Sequence, residues 1–269
     1  MSATRAWCEL EAALASGPAV LVSIAQVEGS APREVGAWMA VTAAACIGTV
    51  GGGAMEFDAI RRARAFLAAG AVIASDKATQ RCALGPSLGQ CCGGVVHLHY
   101  VWLADAQGLC RPVQNEMPVA LFGGGHVGRA IVELLARLPC AVQWFDSRDE
   151  VFPPGLPDHI KAEHSDPVEA AVRGVSPGAQ VLIMSFSHAE DLDIVAACLL
   201  RQRARGDLPF IGLIGSKSKW ASFRQRLQAR GFSAAELAYV VSPIGVAGIK
   251  GKQPEVIALA VVAQLLQQS

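Results

Sequence analysis

The sequence has little charge, few aromatic residues and no excess of either sign. Only 17% of its 269 residues are Asp, Glu, Lys or Arg, 6% are aromatic, and 23 basic residues balance 23 acidic ones. A net charge of zero gives no general field that attracts phosphate backbones, and no block of like charges resembles a nucleic-acid-binding arm. We therefore expect no nucleic acid among its partners.

Charge is missing altogether between Glu34 and Glu56, a stretch long enough to span a bilayer. Its glycines and threonines break a membrane helix and instead predict two buried strands that meet in a turn of small residues. The first residues also lack the continuous apolar core of a signal peptide, because Glu9 and Glu11 interrupt it. We expect a cytoplasmic protein with no membrane segment.

Apolar residues make up 52% of the chain, and the mean hydropathy is +0.36. This composition excludes disorder for most of the chain. It also indicates that much surface is buried in cores or subunit interfaces, so we expect an oligomer, most simply a homodimer.

A stretch with turn and linker composition divides the chain into an N-terminal domain at residues 1–112 and a C-terminal domain at 118–269. The first domain has an α+β pattern. Its predicted helices cover residues 4–16 and 54–69, and its predicted strands cover 19–27, a pair within 36–50, 71–75 and 94–103.

The second domain alternates strands with helices, which predicts a Rossmann-like, doubly wound parallel sheet and an α/β fold. The predicted strands are 119–122, 141–145, 181–185, 210–214 and 239–241. The predicted helices are 126–138, 166–173, 190–204, 217–230 and 254–267.

A G-x-G-x-x-G motif follows the first strand of this domain and opens directly into a helix, with Asp146 at the end of the next strand. In this motif Gly123 permits the tight turn, Gly125 lets a phosphate approach the backbone, and Gly128 lets the helix pack close to the strand. The helix N-terminus can bind an anion, and Asp146 can accept hydrogen bonds from a ribose diol. A vestigial nucleotide site explains the same pattern.

Other polar residues stand at the ends of predicted strands, where doubly wound sheets bind ligands. His126 begins the helix after the glycine motif, and Arg148 can bind a phosphate or pair with Asp149 or Glu150. His188 and Asp191 can meet across a helical turn, although helix capping by Ser187 explains this segment equally well. Ser216 and Lys217 suit a second phosphate or carboxylate, or else belong to a solvated face.

Two unusual motifs lie in the first domain. Gly51, Gly52 and Gly53 precede Glu56 and form either an anion cradle or a plain tight turn. Eight cysteines are scattered along the chain, but Cys91 and Cys92 are adjacent, preceded by Gln90 and followed by Gly93. Three interpretations of this pair stay open: thiol redox or sulfur chemistry, an inert buried pair, and a zinc site shared with His97 and His99.

These motifs together resemble the XdhC/CoxI family, the accessory proteins of molybdenum hydroxylases such as xanthine dehydrogenase. The resemblance covers nearly the whole chain. Together with the other motifs, the Gly-Gln-Cys-Cys-Gly-Gly motif is highly specific for this family. One departure is Ser187-His188, where family members usually have Thr-His. The matching residues are 29–33, 51–56, 84–94, 121–129, 146–148, 187–191, 211–217, 242–245 and 251–252.

The resemblance implies that the chain binds the molybdenum cofactor, protects it while a cysteine desulfurase installs the sulfido ligand, and delivers it to the target hydroxylase. It implies a chaperone without turnover and without catalytic residues. Cys91 or Cys92 would contact the molybdenum or its sulfur. The candidate cofactor-binding residues are Gly51, Gly52, Gly53, Glu56, Gln90, Cys91, Cys92, Gly93, Gly123, Gly125, His126, Gly128, Asp146, Arg148, His188, Asp191, Ser216 and Lys217.

Two other functions stay open on the residues alone. One is an NAD(P)-dependent oxidoreductase that uses the glycine motif and Asp146, with His188 and Asp191 as candidates for proton transfer. The other is a scaffold that docks a target enzyme through apolar surface.

Overall fold

The computed structural model of the protein describes residues 3–70, 78–85, 93–106 and 116–268. The chain divides into two compact units, residues 1–113 and 114–269. Within the described residues, no helix is long and apolar enough to cross a membrane.

The first unit is an antiparallel sheet with helices, which confirms the predicted α+β class. Its five strands have the order β3-β2-β1-β5-β4, and every neighbouring pair is antiparallel. The elements are α1 (Ala3–Leu14), β1 (Ala19–Glu28), β2 (Trp38–Val41), β3 (Cys46–Gly48), α2 (Gly53–Ala69), β4 (Thr79–Ala83) and β5 (Val95–Leu103).

Two-sided burial explains the apolar sequence of β2, whereas the prediction of a second buried strand is wrong, because only one of the three residues of β3 is buried. All four residues of β2 are buried: Met39 and Val41 belong to the cluster that also includes residues of α2, whereas Trp38 and Ala40 belong to the cluster that includes residues of α1. Strands buried on both faces have continuous apolar runs. The strand predicted at 71–75 lies outside the described residues, and β4 was not predicted.

The second unit is a six-stranded parallel sheet of order β11-β10-β9-β6-β7-β8, which confirms the predicted doubly wound fold. Its strands are β6 (Met117–Phe122), β7 (Cys140–Asp146), β8 (Ile160–His164), β9 (Gln180–Ile183), β10 (Phe210–Leu213) and β11 (Val240–Val241). Its helices are α3 (His126–Leu135), α4 (His188–Arg205), α5 (Lys217–Ala229), α6 (Ala234–Leu237) and α7 (Pro254–Gln268).

The strand order reverses at β6, because β7 lies on one side of it and β9 on the other. The carboxyl ends of strands at such a switch point form the usual ligand crevice of an open α/β sheet. The glycine motif follows β6 and Asp146 ends β7, so the fold brings both to this crevice.

The helix predicted at 166–173 is present as a 3₁₀ helix at Val168–Gly174. The helix begins after Pro167, the N-cap, and ends at Gly174, so it is short, as 3₁₀ helices usually are. Its Val168 and Val172 are nevertheless buried in the same core cluster as the apolar face of α4.

Candidate functional site

The glycine loop between β6 and α3 is built by close backbone packing. A Cβ on Gly123 would lie 2.0 Å from Met184 O, and a Cβ on Gly128 would lie 2.1 Å from Gly123 O. Gly123 also has φ +127°, in the region that favours glycine. A larger side chain at Gly123 would overlap the backbone at the end of β9, and one at Gly128 would force α3 away from the end of β6.

Gly125 differs from these two glycines, because a Cβ there would meet nothing within 4 Å. It is the N-cap of α3, and it leaves the helix without a side-chain cap or an acidic residue in the first turn. The first N–H groups of a helix have no intrahelical acceptor, and together with the helix dipole they favour an anion. This end of α3, where His126 is exposed, can therefore bind a phosphate.

Asp146 is only 2% exposed and closes onto the glycine loop. Its Oδ2 accepts hydrogen bonds from Gly124 N at 2.5 Å and from Arg148 Nη2 at 3.0 Å. Its Oδ1 accepts from Arg148 N and Arg148 Nε, both at 2.9 Å. The carboxylate predicted to bind a ribose diol is thus bound by the chain itself in this structure.

The charge of Asp146 is stabilised by these contacts. Burial alone raises the pKa of the carboxyl group, but hydrogen bonds from the Arg148 side chain, Gly124 N and Arg148 N lower it below 3.8 overall. Arg148 pairs here with Asp146 rather than with Asp149 or Glu150, and its guanidinium lies 4.5 Å from the centre of the exposed Phe186 ring.

The structure does not pair His188 with Asp191. Asp191 Oδ1 accepts from Ser185 N and Ser185 Oγ, both at 2.8 Å, and Asp191 Oδ2 pairs with Lys219 Nζ at 2.5 Å. His188 is exposed, with its ring 6.3 Å from that of Phe223. The polar cluster at this strand end therefore consists of Ser185, Asp191 and Lys219.

The serines that begin α4 and α5 act as helix caps. Ser187 Oγ accepts from Glu190 N at 3.2 Å, and Ser216 Oγ accepts from Lys219 N at 3.1 Å. Lys217 is exposed. Unlike α3, both helices thus satisfy an N-terminal donor with their own side chain.

In the first unit, backbone N–H groups at the Gly51–Gly53 turn donate hydrogen bonds to Glu56. Glu56 Oε2 accepts from Val50 N at 2.9 Å, from Gly52 N at 3.1 Å and from the Thr49 hydroxyl. Burial alone raises the pKa of Glu56, but these bonds together lower it below 4.5. The predicted anion cradle therefore already holds the chain's own carboxylate.

Residues 29–33 contact two other motifs of the first unit. A Cβ on Gly51 would lie 2.6 Å from Pro32 Cγ, in the Gly29–Arg33 motif. A Cβ on Gly94 would lie 2.4 Å from Ser30 O, in the same motif. Because only glycine allows these approaches, the 29–33, 51–56 and 93–94 segments form one small-residue cluster.

Gln90, Cys91 and Cys92 lie outside the described residues, whereas Gly93 is described and exposed. His97 Nε2 lies 3.2 Å from Glu28 Oε1. Among the residues that the structure describes, no group of three or more His, Cys, Asp or Glu side chains is arranged to hold a metal ion.

Comparison with known proteins agrees with both units. A model of the XdhC Rossmann domain matches residues 119–265, and a model of the XdhC and CoxI family matches residues 12–75. The chain belongs to the XdhC and CoxI family. Membership in the XdhC and CoxI family supports an accessory role, and the matched regions include the glycine loop, Asp146, the 29–33 motif and Glu56.

Two known proteins resemble this XdhC-family chain over most of its length. The uncharacterized protein YqeB of Escherichia coli (strain K12) is 25% identical over 260 residues, which cover 93% of this chain but 43% of YqeB. The chain thus spans less than half of that relative. A structure described as a xanthine dehydrogenase (BH1974) from Bacillus halodurans has the same fold, with a TM-score of 0.74, 20% identity and coverage of 100% of this chain and 96% of that one.

Proposed function

We propose that this XdhC-family protein is an accessory protein that binds the molybdenum cofactor, protects it during sulfuration by a cysteine desulfurase, and delivers it to a xanthine dehydrogenase-type molybdenum hydroxylase. The sulfur comes from the desulfurase and the chain performs no turnover of its own. Family membership supports the accessory role, and the geometry of the first unit supports a cofactor site.

The observation on which the cofactor site rests is the cluster formed by the 29–33, 51–56 and 93–94 segments. Beside these packed contacts, a Cβ on Gly52 would meet nothing within 4 Å, so the turn leaves open space in which a flat ring system can approach the backbone. Gly94 also accepts a hydrogen bond from Leu84 N at 2.8 Å, which brings both flanks of the 86–92 segment to this cluster.

Glu56 has the chemistry that a pterin requires. A pterin has N–H and amino donors along one edge, and an ionised carboxylate accepts from such donors strongly. Glu56 Oε2 already accepts hydrogen bonds from the chain, but among the described residues no group donates to Glu56 Oε1. We therefore propose that Glu56 Oε1 binds the pterin edge of the cofactor.

The first test of the proposal is cofactor retention by the full-length protein. Purified protein is incubated with molybdenum cofactor and separated by gel filtration, and pterin is quantified in the protein peak. We expect near-stoichiometric pterin with wild type and a clear loss with Glu56→Gln, which removes the charge. No retained pterin with wild-type protein would contradict the proposal.

A matched control separates this effect from general charge removal. Glu133 is exposed on α3, and its side chain forms no hydrogen bond or ion pair with another described residue. Glu133→Gln should retain as much pterin as wild type. Circular dichroism of each variant shows whether a loss of pterin comes from loss of folding.

The chain is also proposed to act as a homodimer, because it leaves large apolar side chains exposed. Leu259 and Leu266 of α7 are 55% and 45% exposed. Exposed apolar residues on one helix favour association between subunits. Light scattering during gel filtration at micromolar concentration tests this, and a monomeric mass would contradict it.

A further inference from the structure

A second feature, in the Rossmann unit, goes beyond cofactor delivery. Asp146 stands where a doubly wound sheet binds a nucleotide ribose, yet its two oxygens already accept from Gly124 N and from three atoms of Arg148. A carboxylate has about four acceptor sites. A ribose diol can therefore bind Asp146 only if a present donor leaves.

The donors that can leave belong to the Arg148 side chain. Gly124 N and Arg148 N are fixed by the backbone, whereas Nε and Nη2 of Arg148 move with side-chain torsions. The Arg148 side chain is 37% exposed and lies over the exposed Phe186 ring, so no packed core holds it in place. Its departure alone would be unfavourable, because the guanidinium would lose its partner.

Glu190, on α4, can replace that partner. Its Oε1 accepts from the hydroxyl of Ser147, the residue before Arg148, at 2.8 Å. Its Oε2 is buried, and no described group donates a hydrogen bond to it. An unsatisfied buried acceptor is unfavourable, so this oxygen favours the arrival of a donor.

Electrostatics agree with this geometry. Hydrogen bonds to Asp146 raise the pKa of Arg148 most, and the charges of Asp146 and then Glu190 raise it further. The guanidinium thus interacts with two carboxylates but forms hydrogen bonds to only one of them.

We propose that the Arg148 side chain is a gate over Asp146. When a ribonucleotide binds the glycine loop, Arg148 moves to Glu190 Oε2, and Asp146 can then accept hydrogen bonds from the ribose diol. The phosphate of the nucleotide would then lie at the uncapped end of α3, beside Gly125. The ligand class is a nucleotide with a free 2′,3′-diol. A 2′-phosphate would meet the Asp146 carboxylate and is disfavoured.

The test uses full-length protein, with NADH and NADPH as probes in calorimetric titrations. We expect NADH to bind more tightly than NADPH, and Asp146→Asn to weaken NADH binding. Glu190→Gln should weaken NADH binding about tenfold, because Arg148 then has no charged partner to move to. Glu133→Gln is the matched control and should bind NADH as wild type does.

The decisive comparison is a double-mutant cycle. Arg148→Ala removes the gate and should bind NADH at least as tightly as wild type. In the Arg148→Ala background, Glu190→Gln should have no further effect, because its only role in binding is to receive Arg148.

Three outcomes would overturn the gate. One is an undiminished Glu190→Gln effect in the Arg148→Ala background. Another is tighter binding of NADPH that depends on Arg148, which would make Arg148 a direct phosphate ligand. The third is no NADH binding by wild type or by folded Arg148→Ala. None of these outcomes changes the pterin assay, so failure of the gate and failure of the cofactor proposal are distinguishable.

Discussion

Gly128 and Gly123 are in backbone contact: a Cβ added to Gly128 would lie 2.1 Å from the carbonyl oxygen of Gly123. This contact joins the first turn of α3 to the end of β6, and it positions the N-terminus of α3 over the carboxyl edge of the sheet. The same loop contains Gly125, which faces open space. Neighbouring glycines in one motif thus have separable roles.

Alanine substitutions at Gly128 and Gly125 should separate the effect on folding from the effect on ligand binding. Gly128→Ala should lower the free energy of unfolding by about 3 kcal/mol, because the methyl group overlaps rigid backbone. Gly125→Ala should leave that free energy nearly unchanged but weaken NADH binding, because its methyl group occupies the space for a phosphate. Urea unfolding and calorimetric titration check both. Unchanged NADH affinity in Gly125→Ala would exclude the loop as the phosphate site.

Arg201 should be one of the most important polar residues for stability. It is 7% exposed, donates to Val172 O and Val175 O at 2.7 Å each, and pairs with Asp207 at 2.7 Å. Arg201→Ala should lower the free energy of unfolding by about 3–5 kcal/mol, because it leaves buried acceptors without donors.

Arg226→Ala is the control for Arg201, because Arg226 is exposed on α5. It should unfold at the same urea concentration as wild type. Equal midpoints for wild type and Arg201→Ala would show that the buried network contributes nothing to stability.

The acid sensitivity of the second unit should depend on Asp146. Because its pKa is lower in the folded protein than its ordinary value of 3.8, the carboxylate stabilises the fold above pH 3.8. That contribution is lost as the pH falls below 3.8 and through the folded pKa. Asp146→Asn should lower the free energy of unfolding by about 2 kcal/mol at pH 7.

The pH dependence of the unfolding free energy distinguishes the effect of the Asp146 charge from the effect of the side-chain shape. The difference in unfolding free energy between wild type and Asp146→Asn should shrink as the pH falls below 4 in a urea series from pH 7 to pH 3. Asp149→Asn, at an exposed residue of the next turn, is the control and should follow wild type. A difference that does not change with pH would mean that the charge of Asp146 does not stabilise the fold.

The adjacent cysteines lie outside the described residues, and their role is predicted from the family resemblance. Cys91→Ala and Cys92→Ala should reduce retention or transfer of the molybdenum cofactor while leaving folding intact. Cys8→Ala, at an exposed thiol on α1, should behave as wild type in the same pterin assay. Unchanged retention and transfer in both single variants and in the double variant would remove the thiols from the mechanism.

The sequence predicts the sheet of the second unit well, because buried parallel strands are continuous apolar runs. It misses β8, in which only Ile160 of five residues is buried, so no apolar pattern marks the strand. It also misses α6, which has only four residues.

The candidate site is predicted less completely than the fold. The spacing of the glycine motif identifies the loop and Asp146, because those contacts are local. Lys219 and Asp191 are 28 positions apart, and no sequence pattern links them. The occupancy of Asp146 by Arg148 depends on side-chain direction at the end of β7, which spacing does not determine.

A reconstitution assay tests most directly whether this chain delivers the molybdenum cofactor, as we propose. Full-length protein loaded with sulfurated cofactor is mixed in air with a cofactor-free xanthine dehydrogenase-type hydroxylase, and the regained activity is compared with that from an equal amount of free cofactor. We expect more activity from the protein-bound cofactor, because binding protects it until transfer. Equal or lower activity would contradict a delivery role.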